Sequence, residues 1–185
     1  MKNRLSFYYG QSEDNIMSTY SKVIKGILGE IIKVRDAGAM SATVIMTYIA
    51  IDTMAFLSMP LDKTKNGNKD FIGWVNKYMK TDDRQSYQYR GEDMWAARCG
   101  KLHSYSAFSD FATKEGSKLY SYHDGSEHLY NPKESERLVL ISISRLVDDF
   151  VVGVHSFFQE ALKDNELKQK IDSRITSIYQ QFDIE

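Results

Sequence analysis

The chain has 185 residues, 42% of them hydrophobic and 26% charged, with a formal net charge of −1. That length suits one domain able to withdraw roughly 70% of its unfolded surface from water, and a balanced charge excludes a protein that coats nucleic acid along an extended basic groove. The single cysteine, Cys99, excludes an internal disulfide framework and a cysteine-based zinc site.

Residues 1–15 carry basic side chains but no apolar run of signal-peptide length, so a reducing cytoplasm is the expected location. A helix is predicted over residues 12–36, with Ser12 or Asp14 as its N-cap. Ile16, Tyr20, Val23, Ile24, Ile27, Leu28, Ile31 and Ile32 repeat at helical spacing. "AGAMSATVIMTYIAIDTMAFLSMP", residues 37–60, predicts a second helix from Ser41 to Met59, stopped by Pro60. It is long and apolar enough to be mistaken for a membrane span. Asp52 near its middle and several hydroxyl side chains favour a buried core helix and no membrane.

A polar loop follows, then a third helix over residues 69–79 and a tyrosine-bearing loop, "KTDDRQSYQYRGED". A fourth helix is predicted from Gly91 to about residue 106. Beyond it, "SKLYSYHDGSEHLYN" holds two short alternating runs around Asp124-Gly125, a dipeptide that favours hairpin turns. "RLVLISI", residues 137–143, is rich in β-branched side chains and reads as a third strand or as the start of a helix. Residues 144–162 and 165–182 return to helical periodicity. The expected fold is mainly α: four helices over 12–106, a small antiparallel hairpin or three-stranded sheet over 117–143, and two closing helices over 144–182, all in one domain.

One stretch stands out chemically. In "MWAARCGKLHSYSAF", residues 94–108, helical spacing puts Met94, Trp95, Arg98, Leu102 and Tyr105 on one face with Arg98 at its centre. Arginine keeps its proton in proteins, so a buried one needs an anionic partner or a place at a cleft. Asp52, equally isolated in an apolar helix, is the expected partner; Arg84 and Arg90 are its rivals for that carboxylate. The alternative is that the stem of Arg98 packs while its head reaches water. His103 lies five residues on, which is about 140° around a regular helix. Either Gly100 distorts the helix, or His103 belongs to the helix's end, or the site closes from elsewhere, for example from a second copy of the chain.

"RCGKLH" resembles the Arg-x4–6-His signature of the HEPN superfamily (higher eukaryotes and prokaryotes nucleotide-binding domains), and "YIAIDTMAFL" resembles an acid-bearing second helix of that family. The similarity extends in architecture over about residues 12–162, nearest to a prokaryotic branch with a short β-element before the closing helices. It implies a HEPN-like helical bundle acting as a homodimer. It also implies metal-independent endoribonuclease activity without a cofactor, in host defence or as a toxin with a cognate antitoxin or defence-system partner. Arg98 and His103 would be the catalytic pair and Asp52 a supporting residue. The position after the arginine is commonly Asn, Asp or His in the family and is Cys99 here. That departure keeps open a second reading, a non-catalytic module binding RNA, a nucleotide or a protein; the third is a helical scaffold in which Arg98 is structural.

Arg90 and Lys101 are the further candidates for substrate contact. Tyr87, Tyr89 and Arg90 interleave aromatic and basic groups, either as a base-stacking loop does or in ordinary surface packing. His123 and His128 flank the predicted turn without further metal ligands nearby, and His155 sits beside an apolar stripe as a structural residue.

Overall fold

A computed structural model describes residues 15–105 and 116–178. Among them are six α-helices: α1 (Asn15–Asp36), α2 (Met40–Ser58), α3 (Asn68–Tyr78), α4 (Gly91–Ser104), α5 (Ile143–Ala161) and α6 (Asn165–Asp172). Two strands, β1 (Leu119–His123) and β2 (Leu138–Ser142), lie between α4 and α5, and a 3-10 turn, Ile175–Ser177, follows α6. The protein is mainly helical. The N-caps expected at Ser12 or Asp14 and the far ends of the fourth and last predicted helices lie outside the described residues.

α2 organises the rest. It is apolar on nearly every side, a pattern that belongs to an interior helix, and it packs against all five other α-helices. It is the one described helix long and apolar enough to cross a membrane. Its hydroxyls are satisfied within the helix: Thr43 donates to the carbonyl of Ala39, and Thr47 to that of Thr43. Met59 is extended (φ −61°, ψ 153°), as expected of a residue preceding proline, and this ends the helix. The core gathers Tyr48, Ile51 and Met54 of α2 with Phe71 and Trp74 of α3 and Phe150 and Phe157 of α5.

Two close approaches fix the helices around it. A Cβ at Gly91 would lie 2.6 Å from the carbonyl oxygen of Ile72, so α4 starts directly against the α3 backbone. The Gly91 N–H donates to Asn76 Oδ1 at 2.7 Å, which caps α4 from its neighbour. A Cβ at Gly153 would lie 2.9 Å from the carbonyl oxygen of Tyr78, which presses α5 onto the end of α3.

The sheet corrects the sequence reading. β1 and β2 pair in parallel, from Leu119 opposite Leu138 to His123 opposite Ser142, and no hairpin closes at Asp124-Gly125. Residues after that turn go elsewhere: Leu129 makes an antiparallel bridge to Leu140 on the other edge of β2. The His128 N–H donates to Gln85 Oε1, and Ser86 Oγ donates to the His128 carbonyl. The largely apolar β2 thus takes the middle position, paired on both edges, with Val139, Ile141 and Ser142 buried. Residues 137–143 resolve as strand followed by helix with nothing between, because Ser142 ends β2 and its Oγ accepts the Arg145 N–H as N-cap of α5.

The last predicted helix is also shorter than its periodicity. α6 ends at Asp172, and Arg174 turns inward. Its Nη1 donates to the carbonyl of Met59 at 2.9 Å, and its Nη2 to those of Pro60 at 2.7 Å and Lys63 at 3.2 Å. A buried cation thereby gathers three carbonyls at and just beyond the C-terminal end of α2, where the helix dipole favours it.

Candidate functional site on the second and fourth helices

Arg98 and Asp52 meet. Arg98 Nε and Nη2 both donate to Asp52 Oδ2, at 2.9 and 2.7 Å. The pair sits at a half-covered edge where α2 and α4 run side by side, its side chains 19% and 18% exposed. Burial pushes the Asp52 carboxyl above the ordinary range, and the hydrogen bonds and charge of Arg98 pull it back. The Trp95 ring lies beneath the guanidinium, 5.0 Å from its carbon, and is itself set edge-on to Phe71. The contacts to Asp52 use Nε and Nη2 of the fork, and Arg98 also acts on the neighbouring Cys99 thiol, drawing it down against burial.

Of the expected rivals, Arg84 pairs with Asp82, and Arg90 lies nearest Asp93, with Nε 3.9 Å from Oδ2. Arg90 stands at the start of α4, eight residues from Arg98 and so about 12 Å along the axis. The structure does not bring it to the pair. Lys101 does share the α2 side: its Nζ donates to Ser41 Oγ at 3.4 Å and lies over the rings of Tyr105 and Tyr122.

α4 is regular through Gly100, so that glycine makes no distortion. Arg98 and His103 therefore diverge by about 140° within one chain. His103 is exposed on the last turn, and Cys99 faces inward, its thiol pushed up by burial. A single copy supplies an anchored guanidinium and an accessible imidazole from one helix, on different faces of it.

The tyrosine loop is a correction. Tyr87 is buried, its hydroxyl donating to Asp93 Oδ2 at 2.8 Å and hydrogen-bonded to that of Tyr120 at 2.8 Å, so its ring offers no stacking surface. Asp93, fully buried in the first turn of α4, also accepts the Lys118 N–H at 2.9 Å and so ties the loop, α4 and the approach to β1 together. Sequence reasoning missed it. An acidic residue in a helix's first turn is ordinarily a surface feature that complements the dipole.

A second polar cluster also escaped notice. His128 is buried, and its Nδ1 accepts the Ser142 N–H at 3.1 Å, which leaves the proton on Nε2. Nε2 is 2.7 Å from Tyr89 Oη, which donates to Asp149 Oδ2 at 3.1 Å. Burial, with the nearby charges of Arg145 and His123, holds His128 down at about 4. Burial pushes Asp149 up to about 6 against the opposing pull of Tyr89 and Arg145. Every group in the chain is already partnered across the α3–α4 loop, the β-region and α5, which describes a structural clamp. His155 is also lowered by burial. Among the described residues no cluster of three or more His, Cys, Asp or Glu side chains is placed to hold a metal ion.

No family model, curated protein or solved structure matches the chain.

Proposed function

We propose that the chain is a HEPN-like protein that cleaves RNA without a metal, as a homodimer in the cytoplasm, in host defence or a toxin–antitoxin response. The observation that carries this reading is the anchoring of Arg98. Asp52 fixes Nε and Nη2 and Trp95 supports the plane, five residues before an exposed histidine. A guanidinium held this way meets a phosphate oxygen with little reorganisation.

Because Arg98 and His103 point apart within one chain, two copies related by a two-fold axis supply what one cannot. One His103 takes the proton of a ribose 2′-hydroxyl, and the 2′-oxygen attacks the adjacent phosphorus. Arg98 meets the charge growing on the non-bridging oxygens. The P–O5′ bond breaks as the second His103 protonates the leaving 5′-oxygen, giving a 2′,3′-cyclic phosphate and a 5′-hydroxyl. Asp52 acts as a positioning residue, and Lys101 lies on the same side of α4 for a neighbouring phosphate.

Purified protein incubated with RNA in excess chelator tests the proposal. Cleavage should persist, and His103→Ala should lower it by about 10²–10⁴-fold. An uncleaved substrate, or equal cleavage by the variant, refutes it. One observation favours a non-catalytic RNA-, nucleotide- or protein-binding module instead: Asp52 already neutralises Arg98, and the residue after it is an inward-facing thiol. RNA bound but uncleaved is the outcome that selects that reading.

A further inference from the structure

α4 ends in a conformation that its packing against the described residues does not explain. Tyr105, its C-cap, is left-handed (φ 54°, ψ 19°) and donates its N–H to the Gly100 carbonyl. It is the only non-glycine residue with positive φ among the described residues. Where a helix ends in this left-handed conformation the residue is usually glycine, because a Cβ is strained there, and for a bulky aromatic side chain the conformation is an outlier. Burial of the ring would offset the strain, yet Tyr105 is 65% exposed, the most exposed of the large hydrophobic side chains described. Strain retained without burial marks a side chain kept for what it presents to solvent.

The ring is also backed. Lys101 Nζ lies 5.1 Å from the Tyr105 centroid and 5.5 Å from that of Tyr122. The Tyr122 hydroxyl is fixed in turn by a 2.6 Å hydrogen bond to that of Tyr48. The ammonium thus joins an anchored inner ring to an outer ring that stays largely in water. An exposed aromatic ring with a cation behind it, two residues from His103, is suited to a flat, apolar, electron-rich group that carries a negative charge close by. An unpaired nucleobase and its phosphate have that chemistry. A base inside a duplex does not, since its faces are already stacked.

We infer that Tyr105, backed by Lys101, is a stacking seat for one unpaired base of a single-stranded RNA, next to the scissile site. This rests on the RNA reading above and adds to it a preference for single strands. Tyr105 selects the strand by its π-face, and the lysine holds the adjoining phosphate.

The test is fluorescence anisotropy of the full chain with a labelled 2′-O-methyl octanucleotide, which cannot be cleaved by 2′-oxygen attack, and with a blunt duplex of the same strand. Thermal melts and sedimentation are run on each variant. Tyr105→Phe should keep wild-type affinity for the single strand. Tyr105→Leu should lose roughly tenfold, in the range of one base–aromatic stack. Tyr105→Gly should lose as much affinity while its melting temperature rises, because the left-handed strain is relieved. The duplex should bind weakly and equally to all forms. If wild type binds the single strand and Tyr105→Leu binds it equally, the inference fails and the proposed function stands. If wild type binds no RNA, both fail. A fall in the melting temperature of Tyr105→Gly with affinity unchanged makes the ring structural. Loss of self-association in Tyr105→Leu with RNA binding intact assigns it to a protein contact. Either result overturns the inference.

Discussion

Replacing Asp149 with asparagine should change how stability depends on pH more than its value at neutrality. The folded protein holds the Asp149 carboxyl at about 6 against an ordinary 3.8. A raised value means that the folded state binds the proton more tightly. This group therefore favours folding at acid pH, and the contribution is lost as pH rises through about 6. His128 is held at about 4 against an ordinary 6.5. Its contribution is present above 6.5 and is lost as pH falls toward 4. At 1.36 kcal/mol per pH unit, gaps of about two units and somewhat more come to about 3 kcal/mol for each group, with opposite signs over nearly the same window. The two cancel: near pH 5 the folded pair is a neutral acid beside a neutral imidazole, the unfolded pair a carboxylate and an imidazolium, with equal protons bound. In Asp149→Asn the amide oxygen still accepts from Tyr89, but the compensation is gone. Between pH 6.5 and 4 the variant should lose about 3 kcal/mol more than wild type, out of a total of roughly 5–15. Urea unfolding followed by tryptophan fluorescence at half-unit pH steps measures the difference directly. The other charges near the pair, Arg145, Asp148 and His123, remain in both proteins and drop out of that difference. Parallel curves for wild type and variant would refute the reasoning.

Asp52→Asn should cost about 1–2 kcal/mol, less than for a fully buried pair because both partners keep some access to water; a double-mutant cycle with Arg98→Met reads the coupling, and additive effects would deny the ion pair a role in stability. Gly91→Ala should destabilise by about 1–3 kcal/mol, since its methyl group meets the Ile72 backbone and the α3–α4 contact must open. A melting temperature equal to wild type would show that the contact yields freely. Arg174→Met keeps the bulk and takes the donor from the carbonyls of Met59 and Lys63, while Pro60 keeps the Lys63 N–H, with an expected loss of about 2–4 kcal/mol in chemical unfolding. Retained stability would mean that water replaces the guanidinium.

Helices were legible where an apolar rhythm ran between unambiguous breakers: Pro60 after α2, and Gly91 at the start of α4. The rhythm failed at the end of the chain. Ile175 and Ile178 extend the pattern of α6, yet Arg174 is drawn in by carbonyls more than a hundred residues away, which no local spacing encodes. Strand pairing failed for a related reason. Asp124-Gly125 describes a turn faithfully but says nothing about partners, and the apolar run of β2 competes better for β1 than the nearer polar segment does. Asp52 and Arg98 were readable as a pair because each is a lone charge in an apolar stripe. Asp93, Tyr87 and Tyr89 were not, since an acid and tyrosines in a polar stretch look alike whether they face solvent or one another. His128 was noticed for its chemistry, but its burial depends on Gln85, Ser86 and Ser142, contacts scattered over the chain.

The contact of Arg174 with the end of α2 spans 115 positions. Synthesis runs from the N-terminus, so the most water-averse helix of the molecule is made early and its seal arrives late. A polypeptide halted before residue 174 carries that helix with its terminus open, a sticky species until a chaperone or a protease meets it. The segment around Arg174 thereby closes the end of that helix only after most of the described fold has been made.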